Sequence, residues 1–192
     1  TISDLEDVTA YDVYVRAVCN PSQQSGWSSA LEITTRPHND ECDKAIPLPV
    51  NQGTECVETV NGTVKAASPS NIGEVCEGNP YNDVWYEFTA TSENHMIKLQ
   101  TETPATTYIA VYEQGICDGQ ALTPIICAPT SVLSMIDLTV GNTYKIRVYT
   151  SSFETAVNFS ICILTFFPIK TSDTQYTVPE LVTDIFIDNE CT

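Results

Sequence analysis

Asp83-Val84-Trp85-Tyr86-Glu87-Phe88-Thr89 places Val84, Tyr86 and Phe88 on one face and Trp85, Glu87 and Thr89 on the other. A period of two residues is the signature of a β-strand with one buried face. Reading outward, further strands are expected over residues 57–64, 95–101, 108–113, 121–127, 132–138, 144–150 and 157–165. Turn residues separate them: Gly78-Asn79-Pro80, Ala128-Pro129 and Gly141-Asn142. Asn61-Gly62 reads as a hairpin turn. No segment here keeps a helical period for three turns. Many short strands at this spacing predict an all-β fold, a β-sandwich or jelly roll, and exclude a βαβ architecture.

Pro37-His38-Asn39-Asp40 marks a boundary before this unit. Three parts are therefore expected: residues 1–36, a complete domain over 37–168, and a further part over 169–192. In the first, Tyr11, Val13 and Val15 alternate with Asp12, Tyr14 and Arg16, and a second strand follows over 30–35. In the last, Thr177-Val178-Pro179-Glu180 forms a capping box with Pro in the first turn. Val178, Leu181, Val182 and Ile185 then predict a short amphipathic helix. Both ends are expected to be cuts within a longer protein. One echo links the parts: Leu138 precedes Tyr144 by the interval that separates Leu5 from Tyr11. Convergent strand-and-turn chemistry is the preferred explanation.

The 192 residues carry 25 Asp and Glu against 8 Lys and Arg, a net charge of −17. Phosphate binding needs clustered Lys and Arg, so nucleic acid is excluded as a partner, and anionic lipid head groups are disfavoured. The charge favours solubility and attracts divalent cations. No apolar run approaches the roughly 20 residues of a membrane helix, so no membrane insertion is expected. The 8 cysteines are scattered singly, without metal-ligand spacing, and read as a disulfide framework made in an oxidising compartment. Cys42 with Cys56, and Cys117 with Cys127, each flank a short segment and are expected to close local loops, leaving Cys76 to join Cys162. A loop near 15 residues is worth about 3 kcal/mol in the chain-entropy model. Cys19 and Cys191 are expected to pair beyond this chain.

The Leu5–Tyr11 motif and the strands after it resemble the last two strands of a fibronectin type III domain. There such a Tyr hydroxyl bonds back to the backbone, as a tyrosine corner. Residues 39–48 (Asn-Asp-Glu-Cys-Asp-Lys-Ala-Ile-Pro-Leu), 82–90 and 138–148 resemble a repeat of large secreted Bacteroidetes proteins, related to the bacterial pre-peptidase C-terminal domain. The run Tyr176-Thr177-Val178-Pro179-Glu180-Leu181 is similar to the opening of the choice-of-anchor L domain. These resemblances imply export by the type IX secretion system, a secreted or cell-surface location, and accessory modules beside peptidases, glycoside hydrolases and adhesins.

Asn39-Asp40-Glu41-x-Asp43 offers four oxygen-bearing side chains in five residues, the ligand type that calcium prefers. Collagen-binding relatives of the pre-peptidase family hold calcium at this entry and just before a strand matching Asn82-Asp83. That resemblance implies Asn39, Asp40, Glu41 and Asp83 as ligands and calcium as cofactor. The alternative is that Asn39 and Asp40 turn and cap the linker while Asp83 ends a loop, with disulfides replacing the metal. Trp85, among polar neighbours, is placed outward, either to stack on a sugar or to be covered by a linker or neighbouring domain. Covering is preferred. Catalysis is poorly supplied: His38 sits in the linker, His95 at a strand entrance as a surface or half-buried residue, and neither has zinc-site spacing. The chain is read as non-enzymatic, a segment of a large adhesin or appendage. Its expected partners are an extracellular glycan or cell-surface protein, neighbouring modules, and other copies in a homo-oligomer or filament. The alternatives are an accessory region of a secreted peptidase and an independent carbohydrate- or protein-binding module.

Overall fold

The computed structural model describes residues 3–75, 78–102, 105–113, 117, 123–152, 157–166, 169–172 and 175–177. The expected helix from Thr177, Cys76 and Cys191 lie outside the described residues. In chain order the first strands are β1 (Ala10–Val13), β2 (Val18–Asn20), β3 (Gln23–Gln24) and β4 (Leu31–Thr34). Two single 3-10 turns follow, His38–Asp40 and Cys42–Lys44, and then β5 (Ile46–Pro47), β6 (Val50–Asn51) and β7 (Val60–Thr63). Next come β8 (Asn82–Thr89), β9 (His95–Thr101), β10 (Tyr108–Glu113), β11 (Ile126–Ala128) and β12 (Val132–Met135). The series ends with β13 (Thr143–Thr150), β14 (Asn158–Thr165), β15 (Ile169–Ser172) and β16 (Gln175–Thr177).

Two sheets face each other over residues 46–165. One runs β11-β10-β13-β8-β5, the other β12-β9-β14-β6, with β7 also paired to β14. All pairings are antiparallel except β5 with β8 and β6 with β14. Val84, Tyr86 and Phe88 meet Ile97, Leu99, Ile161 and Ile163 in the core between the sheets, all at most 3% exposed. The all-β sandwich reading therefore stands. Its inner faces are the period-two apolar sets that the sequence displays.

Several local expectations change. Asn61-Gly62 is not a hairpin turn; both residues lie within β7, paired to Ser160 and Phe159 of β14. A Cβ on Gly62 would stand 2.0 Å from the Tyr86 hydroxyl and 2.7 Å from the Phe159 ring, so close packing explains the glycine. The local disulfides are not formed. Cys42 pairs with Cys117, and Cys56 with Cys162. Cys42 lies on the turn that covers β8, and Cys117 arrives there after β10. Cys162 is in β14, and the loop after β6 carries Cys56 across it, because β6 runs parallel to β14. These bridges span 75 and 106 residues. At that length the chain-entropy model gives each about 4.5 kcal/mol, more than a short loop would. Cys127 is also disulfide-bonded, and so is not paired with Cys117 as expected. Cys19 is free and exposed.

The echo between Leu5–Tyr11 and Leu138–Tyr144 is structural. The Tyr11 hydroxyl accepts from the Glu6 N–H, and the Tyr144 hydroxyl accepts from the Thr139 N–H, each at 2.9 Å and five residues upstream. The backbones match as well: Asp4 and Asp137 both have positive φ, near 60°, and Val8 (φ 51°) stands where the second copy has Gly141 (φ 89°).

Candidate functional site

Two of the residues expected to bind calcium, Asp40 and Asp83, are bonded to one strap, residues 66–75, which crosses the outer face of β8. Asn39 is buried and donates its amide N–H to the Trp85 carbonyl at 2.9 Å. Asp40, 3% exposed, accepts from the Ser68 amide and hydroxyl and pairs with Arg36 at 3.1 Å. Glu41 is exposed and 3.9 Å from Arg36. Asp83 is fully buried, and its partner is the guanidinium of Arg147, which donates through Nε and Nη2. The Ser70 amide and hydroxyl complete its shell. Burial pushes the Asp83 carboxyl above its usual 3.8, while Arg147 and Ser70 pull it back down.

This set does not fit a calcium ion. An ion of that kind needs roughly 6 to 8 free oxygens around one centre. Both buried carboxylates already hold a guanidinium and Ser donors. The Asn39 amide N–H is turned to the Trp85 carbonyl, and Glu41 points to solvent. Among the described residues, no three His, Cys, Asp or Glu side chains gather as a metal site. Arg147 is the residue that a reading centred on acidic ligands misses. Its other contacts go to the carbonyls of Ile72 (3.0 Å) and Ser70 (2.8 Å), so it ties the strap to the sheet. The signal was in β13: Lys145, Arg147 and Tyr149 share the face opposite Ile146 and Val148.

Trp85 also changes place. Alternation puts it opposite Val84, Tyr86 and Phe88, as read, but that face is not solvent. Trp85 is 0% exposed, packed on Tyr112 with ring centroids 5.7 Å apart and on Arg147 at 5.4 Å. Its indole N–H donates to the Ser70 hydroxyl. No sugar stacks there; the strap and the 38–44 turns of the same domain cover the ring. His95 is likewise fully buried, not half-exposed. Its Nε2 accepts from the Thr91 and Ser92 amides at 3.1 Å, and its Nδ1–H donates to the Leu164 carbonyl. Burial lowers its pKa below 6.5.

A concave feature lies elsewhere. A cleft of about 650 Å³ opens between Asp7, Val8 and the Pro37–Asn39 turn on one side and strands β7, β9 and β14 on the other. Asn61, Gln100, Glu102 and Asn158 present polar groups to it, and Ile46 and Phe159 add apolar surface. The Asn158 amide donates to Glu102 at 2.9 Å. Among the described residues, the Asn61 and Gln100 side chains make no hydrogen bond. Behind Gly62 stands the Tyr86 hydroxyl, buried and without a hydrogen-bond partner among the described residues. The Asn39 side chain lies near it but outside hydrogen-bonding geometry, and burial pushes the Tyr86 pKa up to about 12. One sign of this cleft was present in the sequence, Gly62, and its turn-like neighbour Asn61 disguised it.

A long-span disulfide framework, a sandwich core and ionisable groups turned inward define a secreted-type β-sandwich module. The chain belongs to the galactose-binding-domain-like family associated with the type IX secretion system, whose model matches residues 38–161. The domain is thus of an accessory, binding type, and family and disulfides together indicate an extracellular or cell-surface location. No helix among the described residues is long and apolar enough to cross a membrane. No curated protein matches the chain by sequence. Similar solved structures include the pre-peptidase C-terminal domain of a collagenase from Bacillus anthracis, at 12% identity and TM-score 0.36. That match covers 61% of this chain and 96% of the other. Another is PliG, a periplasmic inhibitor of g-type lysozyme from Aeromonas hydrophila, at 14% identity and TM-score 0.37. It covers 62% of this chain and 96% of that one.

Proposed function

We propose that this chain is an attachment segment of a large secreted or surface protein of the adhesin type, holding its module against extracellular glycans. The observation that supports this reading most is the family match over residues 38–161, to a family described as galactose-binding-like and tied to protein export. The internal chemistry is in keeping with it. Asp40, Asp83, His95 and Arg147, ionisable groups buried in the sandwich, are engaged in bonds that hold the fold together rather than presented to a substrate. Long-span disulfides suit a load-bearing spacer, because they cross-link parts of the chain far apart in sequence. Residues 1–36, read as the end of a fibronectin-like module, and the part after 168 would then be its neighbours in a string of modules.

The experiment is binding of residues 1–192 to immobilised galactans, other polysaccharides, collagen and whole bacterial or algal cells, with calcium and with chelator. Specific, saturable binding to a glycan or cell surface is expected. Binding to none of them would return the segment to a passive spacer. Recovery of a catalytic domain in the same polypeptide, with this segment raising its activity on a bound substrate, would favour the accessory role beside a peptidase instead.

A further inference from the structure

We infer that the cleft between Asp7–His38 and strands β7, β9 and β14 is a binding site for a neutral polyhydroxylated ligand, a hexose unit of a glycan. The inference rests on the attachment reading and locates its contact. Five observations carry it. The cleft, about 650 Å³, lies within the range of small-ligand pockets. Among the described residues no Lys or Arg lines it, and two carboxylates, Asp7 and Glu102, do. Such walls repel anions and accept hydrogen bonds from hydroxyls. The amides supply both donor and acceptor in one plane, which suits neighbouring hydroxyls on a ring. Asn158 and Glu102 are already held together at 2.9 Å, while the Asn61 and Gln100 amides are unspent among the described residues. Val8, Ile46 and Phe159 give an apolar patch for the C–H face of a sugar.

The fifth observation is the Tyr86 hydroxyl. Buried polar groups are nearly always hydrogen-bonded, and phenylalanine would fill the same core without the cost. This hydroxyl has no hydrogen-bond partner among the described residues. It ends beside Gly62, a wall of the cleft, where any Cβ would come within 2.0 Å of it. Only glycine leaves the hydroxyl this close to the cleft. A ligand hydroxyl, directly or through one water, supplies the missing partner.

The test uses isotope-labelled residues 1–192 titrated with methyl β-galactoside, lactose and galactan oligosaccharides, with mannose and glucose oligomers in parallel. Saturable shifts are expected in the amide signals of Asn61, Gly62, Gln100 and Asn158. The double substitution Gln100→Ala/Asn158→Ala is expected to weaken binding about tenfold, from the loss of two hydrogen bonds, with an unchanged melting temperature. Both side chains are exposed, so the fold should survive the change. Tyr86→Phe is expected to melt no lower than the wild type and to bind several-fold more weakly. Saturable binding with shifts elsewhere, or binding indifferent to the double substitution, would overturn the cleft while leaving the attachment reading standing. No binding of any of these sugars would also overturn it. The attachment reading would then fall only if cells and polysaccharides fail to bind as well.

Discussion

Arg147→Met replaces a fully buried guanidinium with an unbranched apolar chain of similar reach. It leaves the Asp83 carboxylate in the same dry pocket with only Ser70 to satisfy it, and it releases the carbonyls of Ser70 and Ile72. Removing one partner of a buried ion pair costs about 3–5 kcal/mol. Each lost carbonyl bond adds about 1 kcal/mol where water cannot replace it. A loss of about 5–7 kcal/mol is expected, a large part of the roughly 5–15 kcal/mol that holds a typical domain. Urea unfolding followed by tryptophan fluorescence reads it directly. Trp85 is buried under the strap and Trp27 is 61% exposed, so the main signal comes from the site itself. The double variant Asp83→Asn/Arg147→Met should recover a good part of the loss, because no charge is left unpaired and Ser70 can still bond the amide. An Arg147→Met protein within about 1 kcal/mol of the wild type would refute the reasoning. So would a double variant less stable than the single one.

Further outcomes follow from other residues. His95 is neutral in the fold because burial lowers its pKa, so the unfolded chain takes up a proton first as pH falls. Stability should be level above the unfolded value of 6.5 and decline on acidification below it, a slope that His95→Gln should flatten in chevron or melting data. Gly62→Ala drives a methyl into the Tyr86 hydroxyl and the Phe159 ring and should cost about 1–3 kcal/mol. Gly62→Ala/Tyr86→Phe, which removes the nearest atom, should restore part of that in the same denaturation assay. Val8→Gly places glycine at a positive φ, as at Gly141, and should protect the Tyr11 and Ile33 amides by about 1 kcal/mol in hydrogen exchange. Weaker protection would count against strain at Val8.

Much of the sandwich was legible because period-two patterning reports directly on inner faces. The expected strands over 95–101 and 108–113 coincide with β9 and β10. β5 and β6 were not legible: two residues carry no period, and their parallel pairing depends on partners far along the chain. Trp85 shows the limit more clearly. Alternation assigned its face correctly, yet whether that face meets water depends on where residues 66–75 fold back, which no local pattern states. The same strap explains the metal expectation. Arg36, four residues before Asp40, could have been read as its counter-charge, whereas Arg147 lies 64 residues from Asp83, a distance that motif reading does not span. Cysteine pairing failed likewise, since proximity in sequence says little once β14 brings residue 162 beside residue 56. Of the cleft, only Gly62 was visible, and its role depends on Tyr86 reaching it from the opposite sheet.

The most direct test of the account is the binding of residues 1–192 to a galactan-coated surface in the presence of chelator, beside the Gln100→Ala/Asn158→Ala protein. Retained wild-type binding without calcium, and strongly reduced binding by the variant, is the predicted result. Binding that appears only with calcium and ignores the cleft substitutions would contradict both the internal use of Asp40 and Asp83 and the assignment of the site.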